Sequence, residues 1–146
     1  MPIRTADAEW KGNLTEGSGK MRLGSGAYEG PFSFKSRMEN GPGTNPEELV
    51  GAAHAGCFSM AFSHQLASAG FPPKRVQTKA AVTFEKGEGG FAISSIALDT
   101  EGEVPGITDA KFQELAQAAK KGCPVSKALA GTTITLKAKL VSSAGA

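Results

Sequence analysis

The apolar positions of this chain change period several times, and each change marks an element. The first third reads as short strands broken by glycine turns: AEWKG, SGKMRLG and FSFKSRM. In the last of these, Phe32, Phe34 and Ser36 fall on one face and Ser33, Lys35 and Arg37 on the other, the alternation of a strand. Gly41, Pro42 and Gly43 in ENGPGT then force a turn. From Thr44 the period becomes helical, with Leu49, Val50, Ala53, Cys57, Met60 and Ala61 as the apolar stripe. Asn45 is placed to cap this helix, Pro46 suits its first position and Glu48 completes a capping box. Glu47 also lies in the first turn, where the helix dipole favours an anion. Most of the remaining face is Gly, Ala and Ser, so other backbone can approach it closely. Gly70 and the FPP that follows end the helix.

Alternation returns in RVQTKAAVTFEK, where Val76, Ala80, Val82 and Phe84 share a face. After the turn GEGG, the stretch FAISSIALDTE carries Phe91 and Ile93 in one phase and Ile96 and Leu98 in the other. That phase change predicts a bulge at Ser94 and Ser95. Thr108 or Asp109 caps a second helix whose inner stripe is Phe112, Leu115, Ala116 and Ala119. Gly122 breaks it, Pro124 opens a short third helix running to Leu129, and TTITLKAKL is a last strand with Ile134, Leu136, Ala138 and Leu140 inward. The order βββ-α-ββ-αα-β describes an α+β fold. There is no internal repeat, and the SSAGA tail is expected to fray.

The 146 residues suffice for one domain with a core of its own, expected to span 1–146. A net charge of +2, spread without a basic block, gives no nucleic-acid footprint. MPIRTADAEWKG lacks the apolar segment of a signal peptide, and no apolar run is long enough to span a bilayer, so a cytoplasmic location without membrane contact is expected. In that compartment the two cysteines read as reactive, metal-binding or buried thiols rather than a permanent crosslink.

The two sulfurs differ in setting. Cys123 precedes Pro124 at a helix mouth, where unpaired backbone N–H groups stabilise a thiolate. Cys57 sits mid-helix among small residues, where burial raises a thiol pKa unless a cation is near. Both also fit the plainer reading of a small buried hydrophobe. His54 lies one turn before Cys57, and Arg37 and Glu47 flank the intervening loop. An arginine keeps its charge when buried and can hold a carboxylate while facing a sulfur. Arg37 as an exposed strand-end charge, Glu47 as a helix-start anion and His54 as a satisfied core histidine are equally consistent with the local sequence. Glu47 and Cys57 are separated by about 15 Å of helical rise and roughly 280° of rotation. If both serve one site, a second subunit supplies one of them.

TNPEELVGAAHAGCFSMAFS, together with KKGCPVSKAL downstream, resembles the OsmC/Ohr family of thiol-dependent peroxidases, and AAHAGCFSMA resembles its OsmC branch. The similarity runs through GFAISSIAL and EVPGI and so covers nearly the whole chain. The resemblance implies an intertwined homodimer with two long helices at its centre and active sites at the subunit interface. It implies that Cys57 is the peroxidatic nucleophile, that Cys123 is the resolving thiol, and that Arg37 and Glu47 come from the neighbouring subunit. The implied substrate is an organic hydroperoxide and the implied reductant an external dithiol, with no cofactor. Phe34, Phe58 and Met60 are apolar side chains suited to a bulky peroxide. Two other readings remain. His54, Cys57, Cys123 and a carboxylate could bind a metal, although no second close ligand pair supports this. The interface groove could instead hold a small apolar ligand.

Overall fold

The computed structural model describes residues 1–141; the SSAGA tail lies outside the described residues. The chain forms two compact units, residues 1–49 and 50–146. The single domain expected from length remains an expectation beside that division.

In the first unit, β1 (Ala6–Lys11), β2 (Ser18–Leu23) and β3 (Glu29–Phe32) form an antiparallel sheet in that order. The Trp10 and Phe32 rings lie 5.2 Å apart at 53°. A Cβ at Gly19 would come within 2.6 Å of both rings, so only glycine fits between them. The third predicted strand, FSFKSRM, is corrected: only its first residue, Phe32, belongs to a strand. The strand ends at Phe32, and Phe34–Met38 is a short helix, α1. The cause is Ser33. Its hydroxyl accepts the Ser36 N–H at 3.1 Å, while the Ser36 hydroxyl accepts the Ser33 N–H at 2.8 Å. This reciprocal cap outweighs the apolar alternation that read as a strand. Arg37 therefore stands in the last turn of a helix rather than on a strand.

The long helix α2 spans Pro46–Ser68. Asn45 caps it as expected, accepting the Glu48 N–H at 2.8 Å, and the Glu48 carboxylate accepts the Thr44 hydroxyl at 3.1 Å. At the other end Gly70 takes φ +93, and the N–H groups of Gly70 and Phe71 close onto the carbonyls of Ala67 and Leu66.

In the second unit, β4 (Arg75–Gly87) pairs antiparallel with β5 (Gly90–Glu103), and β6 (Thr133–Val141) pairs parallel with β5. The parallel pairing is spanned by α3 (Asp109–Gly122) and α4 (Pro124–Ala128), the crossover that parallel strands require. Thr83 faces Ser95 and Phe84 faces Ile93, so Ser94 is the extra residue of the expected bulge. That bulge turns Ile96, Leu98 and Thr100 inward on the central strand. Thr108 caps α3, whose buried residues are the predicted Phe112, Leu115, Ala116 and Ala119. The α3 helix lies so close to β5 that a Cβ at Gly102 would strike the Phe112 ring at 2.5 Å.

The inner face of α2 differs from the expected stripe. Gly51, His54, Phe58, Phe62 and Leu66 are buried, whereas Ala53 is exposed and Met60 is 77% exposed. A helix apolar nearly all round has no periodicity strong enough to select a face. The aromatic rings select it: Phe58, Phe62 and Phe112 form a run with centroids 5.7 and 5.0 Å apart. Gly51 lets the helix approach the sheet, where a Cβ would meet Val82 at 3.3 Å. Hydroxyls add a polar link from Ser59 to Thr78 at 2.8 Å and from Thr78 to the buried Thr100 at 2.9 Å.

Candidate active site

The two cysteines, 66 positions apart in sequence, meet in the second unit with their sulfurs at 3.1 Å, both as free thiols. Three local features bring Cys123 there. It ends α3, where its N–H bonds the Ala119 carbonyl at 2.9 Å. It also caps α4, with Pro124 behind it and the Ser126 N–H directed at its sulfur at 3.5 Å. The residue itself is fully buried. Cys57 comes from the middle of α2, beside the buried Phe58, and is only partly buried.

The local fields on the two sulfurs are opposite. Burial pushes the Cys57 thiol above its ordinary range; the Val125 N–H offsets part of this, and the neighbouring Cys123 raises it further. Burial would raise Cys123 as well. The Ser126 N–H, the Cys57 thiol, the Ser126 hydroxyl and the Val125 N–H outweigh it, and the Cys123 thiol lies below its ordinary range. Within this pair Cys57 keeps the proton more readily, as the helix-mouth argument anticipates.

His54 is fully buried one turn before Cys57. Its Nε2 lies 2.7 Å from the Ser126 hydroxyl, and its Nδ1 is buried without a hydrogen-bond partner. Burial lowers its pKa and favours the neutral ring. Sequence reasoning placed His54 near Cys57 but missed Ser126. The signal was present: in GCPVS, Ser126 holds the third helical position after a capping Cys123.

Arg37 and Glu47 meet in the first unit. The Arg37 Nε donates to Glu47 Oε1 at 2.6 Å, with side-chain exposures of 40% and 10%. Their supports are short-range. The Ser36 hydroxyl donates to the Thr44 carbonyl at 2.7 Å, and the Asn45 amide donates to the Ser36 carbonyl at 3.1 Å. These bonds fasten α1 to the residues that open α2. Glu47 Oε2 is buried without a hydrogen-bond partner.

Of the apolar side chains expected near a peroxide, Phe58 is enclosed in the core and Met60 is exposed. Two surface cavities of about 460 and 340 Å³ open in the second unit, and neither is lined by Cys57 or Cys123. Among the described residues no three of His, Cys, Asp and Glu converge as metal ligands, and His54 Nε2 is engaged by Ser126. No helix among them is long and apolar enough to cross a membrane.

Comparison with known proteins identifies the family and the fold. Residues 39–138 match the model of the OsmC-like protein family. The chain is 47% identical over 127 residues to peroxiredoxin OsmC of Escherichia coli (strain K12), covering 86% of this chain and 89% of that protein. It is 31% identical over 98 residues to the organic hydroperoxide resistance protein OhrB of Bacillus subtilis (strain 168), covering 66% and 69%. The crystal structure of B. subtilis OhrB aligns over 94% of this chain and 98% of its own, with a TM-score of 0.71 and 28% identity. An OsmC-like protein of unknown function from Vibrio cholerae shares the fold, with a TM-score of 0.76 at 16% identity over 94% and 99% of the two chains. The chain belongs to the OsmC/Ohr family.

Proposed function

We propose that this chain reduces organic hydroperoxides through Cys57 and Cys123. Membership of the family supports a peroxide-reducing redox protein. The observation that carries the finer reading is the pair of free thiols at 3.1 Å, brought together by two different helices. The Cys57 thiolate attacks the distal peroxide oxygen, the O–O bond breaks, and the alkoxide takes a proton and leaves as the alcohol. Cys57 becomes a sulfenic acid. Cys123 then forms an S–S bond as the S–O bond breaks, and the hydroxyl leaves as water. An external dithiol reduces the disulfide by exchange. The reaction belongs in the cytoplasm.

Cys57 needs a cation, because its own surroundings raise its pKa. Arg37, oriented by Glu47, fills that role from a second copy of the chain, stabilising the thiolate and polarising the peroxide. Two observations support a homodimer. The first unit contains a three-stranded sheet and no buried hydrophobic side chain, too little to be stable alone. On α2, Ala52, Ala53, Gly56 and Met60 form an exposed, mostly small apolar face, against which another helix can pack closely.

Thiol titration before and after one equivalent of cumene hydroperoxide tests this reading. Loss of both thiols per chain, abolished in Cys57→Ser, is expected. Unchanged thiols would favour simple ligand binding instead, and a fully active monomer in light scattering would remove the shared site.

A further inference from the structure

Ser126 and His54 are buried polar residues that the proposed reaction does not use. Ser126 is 7% exposed and His54 fully buried, and the contact between them joins α2 to α4. A neutral imidazole has one N–H. If that proton were on Nδ1, a buried donor would have no partner. Placed on Nε2, it is donated to the Ser126 oxygen, leaving only an unpaired acceptor lone pair at Nδ1. Unpaired buried donors are the rarer and more costly fault, so the Nε2–H tautomer is the stable one. The Ser126 hydroxyl then accepts from His54 and has its own proton to give. The Ser126 N–H lies 3.5 Å from the Cys123 sulfur, and the Ser126 hydroxyl also acts on that sulfur.

We propose that His54 and Ser126 are positioning residues for the second step: His54 orients the Ser126 hydroxyl so that it donates to Cys123 and holds that sulfur as the thiolate that condenses with the Cys57 sulfenic acid. The inference rests on the roles proposed above for the two cysteines. The condensation balances without another reactant. Cys123 gives up a proton, the S–S bond forms as the Cys57 S–O bond breaks, and the departing hydroxide is protonated to water. The relay fixes where the negative charge waits. Other groups also act on Cys123, the Cys57 thiol and the Val125 N–H directly, while Lys120, Lys121 and Lys127 line the cavity that Ser126 helps to form. All of these are common to every variant below except Cys57, which is replaced in each chain used for titration.

The test uses Cys57→Ser chains, in which Cys123 is the sole thiol, and follows thiolate absorbance against pH. A hydrogen bond to a charged sulfur corresponds to a midpoint change of about one pH unit. Ser126→Ala and His54→Leu are expected to raise the midpoint by that amount. His54→Gln, whose amide nitrogen takes roughly the place of Nε2 and still donates, is expected to stay near the parent value. In chains retaining Cys57, Ser126→Ala should slow condensation severalfold. The loss is smaller than the loss of thiolate, because a more basic sulfur is the better nucleophile. Unmoved midpoints in Ser126→Ala and His54→Leu would overturn the relay. If His54→Leu does not fold, Ser126→Ala, which removes a single oxygen, decides alone. The titration involves no peroxide, so its outcome is separate from whether Cys57 is the nucleophile.

Discussion

The chain holds two polar pairs of opposite construction. The sulfur pair lies in a unit that contains every buried hydrophobic side chain among the described residues, and its spacing is set by a packed core. The ion pair of Arg37 and Glu47 lies in a unit with none, and its geometry is set by capping and loop hydrogen bonds around Ser36, Thr44 and Asn45. A packed interior fixes a position by excluding alternatives. A hydrogen-bonded loop fixes one only while its few bonds hold. Each construction suits a different task. On our reading the two sulfurs bond to each other, which needs them held within reach. A guanidinium that on our reading meets both a bulky substrate and another copy's sulfur benefits from standing at a half-exposed edge.

The largest effects should come from the sulfur pair, and they separate its two members. Cys57→Ser is expected to remove peroxide turnover, because on the proposed roles Cys123, the remaining thiol, acts only on the sulfenic acid that Cys57 forms. Wild-type turnover in that variant would end the assignment. Cys123→Ser is expected to complete one turnover and stop, leaving a sulfenic acid at position 57 that mass spectrometry detects. A Cys57 left unoxidised in that variant would point to the reverse roles of the two sulfurs. That reversal is a real alternative on local fields alone, since Cys123 is the more acidic thiol and Cys57 the less acidic.

Arg37→Ala is the next largest. Losing one positioned donor to developing charge typically slows a reaction by about 10² to 10³. The loss should fall on sulfenic acid formation, measured by transient kinetics, and not on its condensation with Cys123. A variant that slowed both steps equally would mean that the two pairs are not functionally separate. Glu47→Gln keeps an oxygen for Arg37 but removes the charge, and should fall between wild type and Arg37→Ala on the same measurement.

The sequence was informative wherever a local pattern had one physical outcome. Asn45 with Pro46, Thr108 with its amphipathic stripe, the Ser94 bulge and the Cys123 cap before Pro124 all appear where the pattern predicts. It misled where two outcomes competed. FSFKSRM alternates like a strand, yet Ser33 and Ser36 cap each other and wind it into α1. The α2 helix is apolar nearly all round, so its inner face follows from aromatic packing that no single helix reveals. The candidate residues were legible to the same degree. The resemblance names Cys57, Cys123, Arg37 and Glu47 only as expectations, and the 3.1 Å meeting of Cys57 and Cys123 depends on how α2, α3 and α4 pack. The tie from His54 to Ser126 depends on the same packing.

The smallest expected effect probes the supports of the ion pair. Asn45 uses both ends of its amide: the oxygen caps α2 through the Glu48 N–H, and the nitrogen holds the Ser36 carbonyl. Asn45→Ala removes both bonds while leaving Arg37 and Glu47 in place, and losing such a cap costs about 1 kcal/mol of stability. Urea unfolding should show that loss with an unchanged slope. Glu47 sits two residues into the helix that Asn45 caps, and Arg37 follows Ser36 directly, so the variant loosens both members of the pair at once. A modest slowing of sulfenic acid formation should accompany it. The sulfur pair has no bond to Asn45 and is held by the core, so condensation of Cys57 with Cys123 should keep its wild-type rate. Equal slowing of both steps would mean that the sulfur spacing also depends on the start of α2, and the contrast between a core-held pair and a loop-held pair would fail.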